Sequence, residues 1–153
     1  MMRASGILLP ISSIPSNYGI GCFSKEAYAF VDQLAEAGQK YWQILPLGPT
    51  GYGDSPYQSF STFAGNPYFI DLDLLASEGL LDKKEYVSVN WGDDVSRIDY
   101  GRLYEQRYPV LKLAAKRFLE NEPEDFETFC ELQAFWLEDY ALFMTLKDTH
   151  GGC

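Results

Sequence analysis

The sequence predicts an α/β fold that opens with a strand–helix–strand unit and continues into an acidic, mostly helical segment. Two short apolar runs, at 6–10 and 41–47, each reach a proline where strand pairing should stop. Between the runs, apolar side chains recur at helical spacing. After about residue 76, glycine and proline become rare, charge density rises, and two long stretches show helical spacing.

The first run, Gly6–Pro10, has the composition of a strand that is buried on both faces. Ser24 is predicted to cap the helix that follows, and Glu26 in its first turn suits the positive end of the helix dipole. Gly38 is predicted to end this helix. The side chains at helical spacing that should form its apolar face are Ala27, Phe30, Val31, Leu34 and Ala35.

The second run, Tyr41–Leu47, completes a βαβ unit, so we expect parallel strands and a right-handed crossover. Both strands then end at the same edge of the sheet, and the loops 12–21 and 48–65 emerge there. In α/β folds this carboxyl edge carries the ligand.

The helical segment is predicted to contain helices over Leu103–Leu119 and Phe126–Lys147. Pro109 lies inside the first pattern, so that helix should begin at Tyr108 or be kinked there. Residues 76–153 hold 16 acids and 9 bases, which most simply form a solvated face rather than a functional acidic patch. We therefore divide the chain into residues 1–75, an α/β part with the ligand-edge loops, and residues 76–153, an acidic helical insertion.

One βαβ unit cannot close a barrel, and a complete (β/α)8 barrel takes about 250 residues. With 153 residues that stop directly after a predicted helix, the chain is expected to be the opening piece of a larger α/β protein. Such a piece exposes strand edges and apolar surface, so we expect marginal stability or self-association.

Composition excludes several classes of function. A net charge of −10 disfavours nucleic acid and anionic membrane surfaces as partners. No apolar run reaches the roughly 18 residues of a membrane helix, and no signal peptide is apparent. Three widely spaced cysteines (Cys22, Cys130 and Cys153) and a single histidine indicate free thiols in a cytoplasmic protein, with no zinc site.

The segment from Tyr41 to Phe69 is the most informative, because it holds 8 aromatic residues and runs from the strand into a loop of small residues that holds several of them near the surface. Tyr52 and Tyr57 offer ring faces and hydroxyls, Ser55 adds a hydroxyl, and the glycines allow close approach of a ligand. Flat rings beside hydroxyls suit a sugar. The alternative is a tight connection whose tyrosines only cover the edge of the sheet.

Other motifs point less clearly to function. The glycines of Ser12–Gly21 do not match a dinucleotide fingerprint, and Tyr18 either lines the same cleft or belongs to a structural turn. Asp54 is most simply a turn residue beside Gly53. Asp71 and Asp73 have no evident acidic partner, so glycosyl-transfer chemistry, which needs two carboxylates, is not evident in this chain. The aromatic stripes of the predicted helices are typical of packing.

Six segments together point to a known family: Ser5-Gly-Ile-Leu-Leu-Pro10, Tyr18-Gly-Ile-Gly21, Tyr41-Trp-Gln43, Leu45 through Ser59, Ala64-Gly-Asn-Pro-Tyr68 and Asp139-Tyr-Ala-Leu-Phe-Met144. In these segments the chain resembles the N-terminal part of the 4-α-glucanotransferases, also called amylomaltases or disproportionating enzymes, of glycoside hydrolase family seventy-seven. One departure is Gly21-Cys-Phe-Ser24, in a turn before the first helix.

The resemblance implies the opening strands and helix of a (β/α)8 TIM-type barrel and transfer of α-1,4-glucan segments between maltodextrins by a retaining double displacement. No metal or organic cofactor is implied. Ser55 and Tyr57 match positions that line donor-side subsites, Tyr52 matches an aromatic of an accessory glucan site, and Asp54 is grouped with them as a substrate-binding residue. The family's catalytic carboxylates lie beyond Cys153, so the piece should be inactive alone. The alternative is a non-catalytic glucan-binding or scaffold module.

Overall fold

The chain folds as a strand–helix–strand unit followed by helices, in the predicted order. The computed structural model describes residues 3–51, 53–121 and 123–151. Its strands are β1 (Gly6–Leu8) and β2 (Tyr41–Gln43), and its α-helices are α1 (Lys25–Glu36), α2 (Leu72–Ser77), α3 (Tyr100–Glu120) and α4 (Glu124–Thr149). Short 3-10 turns lie at Ile11–Ser13, Pro67–Phe69 and Lys83–Glu85.

The two strands pair in parallel, with Gly6 opposite Tyr41 and Leu8 opposite Gln43, as the βαβ pattern predicts. The strands are shorter than the apolar runs. The N–H of Leu9 still donates to the Gln43 carbonyl over 3.0 Å. Pro10 follows and has no N–H to continue the ladder, so pairing stops there.

The sheet is not buried on both faces, contrary to the expectation from its composition. Ile7 is 42% exposed, Leu8 57% and Tyr41 67%. Helix α1 covers one part of the sheet, where Phe30 packs edge-on against Trp42 with ring centroids 5.0 Å apart. A parallel sheet needs cover on both sides, and the described residues supply it only in part.

Helix α1 begins and ends where the sequence predicts. Ser24 is its N-cap by position, although its hydroxyl makes no capping hydrogen bond. At the other end Gly38 has φ +70°, and Gly38 and Gln39 donate their N–H groups back to Ala35 and Leu34. This is a Schellman ending, which satisfies the last carbonyls of the helix. Of the predicted apolar face, Ala27 is buried, Phe30 and Leu34 are half-buried, and Val31 and Ala35 are exposed.

Helix α3 runs unbroken through Pro109, so the first of the two predicted alternatives, a start at Tyr108, is wrong. Its N-cap is Asp99, whose carboxylate accepts the Arg102 N–H over 3.0 Å. The Asp99 cap and the buried face of α3 place the start of the helix at Tyr100, eight residues before Tyr108. Their stabilisation outweighs the helix-breaking tendency of Pro109. The buried side chains of α3 are Leu103, Arg107, Val110 and Ala114. Helix α4 has no buried residue.

The core lies between the first loop, the segment around Tyr68–Leu72, and α3, so it joins residues on both sides of position 76. Arg107 is fully buried in it and donates to the carbonyls of Tyr18 (3.1 Å) and Ile70 (2.7 Å). The apolar members of this core are Ile11, Ile20, Tyr68, Phe69, Leu72, Leu81, Tyr86, Trp91, Leu103, Val110 and Ala114. Among the described residues, no helix combines the length and hydropathy needed to cross a bilayer.

Candidate functional site

The aromatic loop after β2 forms a closed projection. An antiparallel bridge between Thr50 and Ser59 joins its two sides. Beyond the bridge, residues 51 and 53–58 belong to a tip with two turns, in which Asp54 donates its N–H to the Gly51 carbonyl (3.1 Å) and Gln58 donates to the Ser55 carbonyl (3.1 Å). The tip therefore has a defined backbone shape, which a binding loop needs if it is to hold side chains in fixed positions.

The first turn of the tip uses left-handed backbone at two successive residues. Gly53 has φ +90°, and Asp54 has φ +54°, a value uncommon for a residue with a side chain. Aspartate tolerates this conformation because of its short polar side chain. The observation agrees with Asp54 as a turn residue, and burial in the tip raises the pKa of its carboxyl above the ordinary value.

The tip presents Tyr57 to solvent, with 73% of the residue exposed. The Ser55 hydroxyl turns back toward the backbone and accepts the Tyr57 N–H in a long hydrogen bond of 3.4 Å. The structure thus brings together Asp54, Ser55 and Tyr57, three of the residues that the sequence proposed. Tyr52, the fourth, lies outside the described residues.

At two positions of the loop, neighbouring atoms lie so close to the backbone that a side chain larger than that of glycine would clash with them. A Cβ at Gly48 would lie 2.9 Å from the Ser61 carbonyl oxygen, and one at Gly51 would lie 2.7 Å from the Phe60 ring. The return of the chain is fixed by Asn66, which donates its N–H to the Leu47 carbonyl (2.8 Å) and accepts the Tyr68 N–H on Oδ1 (3.0 Å). The base of the loop is therefore tightly held.

Helix α4 supports the loop from the side. The Phe63 ring stacks on Trp136 with centroids 5.9 Å apart and meets Phe135 edge-on at 5.1 Å. Phe60 lies against Phe143 at 5.9 Å. Its ring also faces the Lys147 ammonium, whose Nζ is 4.9 Å from the centroid. The aromatic side chains of α4 therefore pack against the loop, which agrees with their expected packing role.

A row of tyrosines on α3 lies close to the tip, and the sequence analysis did not single it out. Tyr108 is 5.5 Å from both Tyr68 and Tyr104 between ring centroids, and Tyr100 is 6.3 Å from Tyr68. Burial first, and then the negative charge of Asp54, raise the pKa of Tyr100. The signal was present in the sequence as tyrosines at 100, 104 and 108, a spacing that places them on one helix face.

Tyr18 has a structural role in the described chain. Its hydroxyl donates to Asp73 Oδ1 over 2.8 Å, and the Tyr86 hydroxyl donates to the same oxygen over 2.7 Å. Burial, followed by the hydrogen bond to Asp73, raises the pKa of Tyr18 to about 12. Asp71 Oδ1 accepts the Asp73 N–H at the start of α2. Asp73 thus ties the first loop to the helical part, whereas Asp71 caps α2.

The cysteines take no part in the tip. Cys22 and Cys130 are free thiols, whereas Cys153 lies outside the described residues. Burial raises the pKa of the Cys22 thiol to about 11, which makes it a poor nucleophile at neutral pH. Within residues 3–51, 53–121 and 123–151, no group of three histidine, cysteine or acidic side chains is arranged to hold a metal ion.

Comparison with known proteins supplies the context for this loop. A family model described as 4-alpha-glucanotransferase matches residues 9–153. The chain is 56% identical over 137 residues to the 4-alpha-glucanotransferase of Clostridium butyricum, covering 90% of this chain and 28% of that protein. It is 53% identical to the 4-alpha-glucanotransferase of Thermus thermophilus, covering 98% of this chain and 30% of that protein.

Among solved structures, the chain matches an amylomaltase from Streptococcus agalactiae in complex with acarbose. The TM-score is 0.93 at 47% identity, and the match covers 99% of this chain and 31% of that one. The chain therefore spans about 30% of the length of these relatives.

Proposed function

Because the chain belongs to the 4-alpha-glucanotransferase family, we propose that it forms one wall of the glucan-binding cleft of an enzyme that transfers α-1,4-glucan segments between maltodextrins. The observation that carries the proposal is the exposed ring of Tyr57 on a loop closed by the Thr50–Ser59 bridge. Support comes from the solved relative bound to acarbose, an α-glucan analogue. In this proposal β1, α1 and β2 open a (β/α)8 barrel in the intact protein.

In this proposal each loop residue contacts a different part of the glucan. The Tyr57 ring stacks on the apolar face of a glucose unit at the donor side, because a flat ring suits that face. Ser55 and Asp54 form hydrogen bonds with sugar hydroxyls. Because the pKa of Asp54 is raised, its carboxyl stays protonated up to a higher pH than that of an ordinary aspartate. Tyr52 contacts glucan at an accessory position farther from the reaction.

The proposed reaction is a retaining double displacement. Such reactions need a nucleophilic carboxylate and an acid/base carboxylate about 5–5.5 Å apart. The nucleophile takes a maltodextrinyl segment, and the 4-hydroxyl of a second glucan receives it in place of water. Asp71 and Asp73 are engaged as acceptors within the fold, so we assign the catalytic pair to the part of the relatives that this chain does not cover. The 153-residue piece alone is then inactive, and the intact enzyme is cytoplasmic and uses no cofactor.

The test replaces the matching segment of the Clostridium butyricum relative with this chain and introduces Tyr57→Ala. Loss of one stacking contact costs about 1–3 kcal/mol, which lowers transfer efficiency on maltotriose roughly five- to 150-fold. Tyr28→Ala on α1 is the matched control, because Tyr28 is also 73% exposed but lies outside the loop. We expect the control to transfer at the parent rate.

A second variant, Tyr52→Ala, separates the accessory role from the donor-side role. We expect it to transfer between short maltodextrins almost normally and to differ from the parent mainly on amylose. Melting curves for all variants exclude unfolding. Normal transfer by Tyr57→Ala, or a loss explained by unfolding, would show that the loop is a structural cover.

A further inference from the structure

A groove of about 670 Å³ lies between the first loop and the segment that precedes α3. One wall is formed by residues 12–17 and 19–21, and the other by residues 91–92 and 94–98. We call it the first-loop groove. No described residue of the tip lines it, and its volume falls within the roughly 300–1,000 Å³ of ligand sites in proteins. The groove is therefore a second candidate site.

The floor of the groove is held in place by the core below it. A Cβ at Gly19 would lie 2.6 Å from the carbonyl oxygen of Trp91, so the two walls meet there without room for a side chain. The Trp91 indole N–H donates to the Tyr86 carbonyl over 3.0 Å. Arg107 contacts the Trp91 ring and donates to the Tyr18 carbonyl. A floor fixed in this way gives the groove its shape before a ligand binds.

Each wall also keeps its shape through its own hydrogen bonds. In the first wall Gly21 donates its N–H to the Ser12 carbonyl over 3.0 Å. In the second wall Ser96 donates its N–H (2.8 Å) and its hydroxyl (2.6 Å) to Asp94 Oδ1. Arg97 donates its N–H to the Asp94 carbonyl over 3.2 Å. These bonds use backbone groups, the Ser96 hydroxyl and one carboxylate oxygen, and they leave other polar side chains of the groove available to a ligand.

The available side chains supply hydrogen-bond donors and acceptors from both walls. In the part of the chain that the structure describes, the Ser13 hydroxyl, the Asn17 amide and the Arg97 guanidinium make no hydrogen bond. The hydrogen bonds from Ser96 lower the pKa of the Asp94 carboxyl, so it is a carboxylate at neutral pH, and its Oδ2 is an acceptor. An amide and a hydroxyl both donate and accept, whereas a guanidinium only donates. The groove can thus bond a ligand that carries many hydroxyls.

The charge of the groove favours a neutral ligand. The charged side chains that line it are Asp94 and Arg97, whose charges are opposite. The chain as a whole carries a net charge of −10, which repels anions, and one carboxylate beside a guanidinium is a poor cation site. Pro15 and Val95 add exposed apolar surface, one on each wall. Polar groups between apolar walls suit a sugar, which has both hydroxyls and apolar C–H faces.

Position and chemistry together identify the ligand. Because β1 and β2 are parallel, the first loop and the tip both follow the carboxyl ends of strands, the edge that carries ligands in α/β folds. We propose that the first-loop groove binds a second stretch of α-1,4-glucan, whose hydroxyls are bonded by Asn17 and Arg97 from opposite walls. The choice of sugar rests on the proposed function. A long glucan held in the groove stays near the tip at a raised effective concentration.

The experiment follows the backbone amide NMR signals of this chain while maltoheptaose is added. We expect the amides of Gly19 and Gly92 in the groove to shift, in addition to those of the tip. Asn17→Ala should weaken the groove response roughly threefold or more, and Arg97→Ala, which removes a charged donor, roughly tenfold or more. Cellohexaose, a β-1,4-glucan, should leave the groove amides in place.

Two control variants and a second measurement accompany this titration. Gln33→Ala and Arg3→Ala remove exposed side chains of the same kinds outside the groove and should bind like the parent. In the chimera with the Clostridium butyricum relative, Asn17→Ala and Arg97→Ala should raise the KM for amylose more than the KM for maltotriose. A general loss of folding would instead affect both substrates alike.

The outcomes separate the two proposals. Groove amides that do not shift with maltoheptaose, or that shift equally with cellohexaose, overturn the groove proposal. Equal changes of the two KM values overturn it as well. If Tyr57→Ala removes the tip shifts and leaves the groove shifts, both proposals stand. Shifts in the groove without shifts in the tip support the groove proposal and count against the role given to the tip in the proposed function.

Discussion

At the scale of single residues, a few buried polar side chains hold the loops to the helices. Arg107 is the clearest case, since it is fully buried and donates to the carbonyls of Tyr18 and Ile70. Burial lowers the pKa of its guanidinium. The Trp91 ring, with its centroid 5.8 Å from the guanidinium carbon, adds a cation–π contact. One arginine from α3 therefore fixes the first loop and the chain that returns from the aromatic loop after β2.

The ion pair between Glu85 and Arg117 supports a pH-dependence prediction. Two parallel hydrogen bonds of 2.8 Å join the carboxylate to the guanidinium, and they lower the pKa of Glu85 from 4.5 to about 2. A lowered folded-state pKa stabilises the protein above the unfolded-state value, and this stabilisation is lost as pH falls from about 4.5 toward 2. Glu85→Gln should therefore be less stable than the parent at neutral pH, and the difference should shrink through that window.

Urea unfolding of both proteins from pH 7 to pH 2 measures this difference. Glu131→Gln, which removes an exposed carboxylate on α4, is the control and should change stability little at any pH. A Glu85→Gln deficit that stayed constant down to pH 2 would contradict the assignment to this ion pair.

At the scale of elements, tertiary packing overrides local preference most clearly in α3. Proline inside a helix costs about 3 kcal/mol or more, because it removes a hydrogen bond and its ring crowds the preceding turn. Pro109 nevertheless lies in the middle of Tyr100–Glu120. Leu103, Val110 and Ala114 are buried on the two sides of it, and burying them requires one continuous helix face.

The end of α1 gives a prediction on backbone conformation. Gly38 has φ +70°, and an added Cβ there would meet nothing within 4 Å, so Gly38→Ala tests the left-handed conformation alone. We expect it to destabilise the chain by roughly 1–2 kcal/mol. Gly65→Ala is the matched control for Gly38→Ala. A Cβ at Gly65 would also meet nothing within 4 Å, but the φ of Gly65 is not left-handed. Gly65→Ala should be neutral or stabilising by up to about 1 kcal/mol. Equal unfolding free energies for the two variants would refute the argument.

At the scale of the whole molecule, exposed apolar surface limits the stability of the chain alone. Within the described residues, the sheet has two three-residue strands and α4 has no buried residue. We expect a melting midpoint below the roughly 45–65 °C of ordinary mesophile domains, or self-association that rises with concentration. Calorimetry and sedimentation velocity over a hundredfold concentration range measure both. A clean monomer with a sharp, high-temperature melt would contradict this expectation.

The sequence alone determined the order of elements and the place of the loop. The 3.6-residue period and Gly38 predicted α1, and Pro10 predicted where pairing of β1 stops, because these signals act within a few residues. Strand β2 ends at Gln43, before the proline of its run. The density of tyrosine, glycine and serine after β2 identified the loop. Its closure by a Thr50–Ser59 bridge has no local signal, since it joins residues nine positions apart.

Tertiary structure decided which predicted surfaces are buried. Composition predicted a first strand buried on both faces, yet Ile7 and Leu8 are exposed, because cover depends on elements that a strand's own residues do not specify. The period of α4 predicted an apolar helix, but only packing shows that Phe60 and Phe63 contact its aromatic side chains while Leu132 and Leu142 stay exposed. Local signals fix conformation over short distances, whereas burial is set by the contacts that distant segments make with one another.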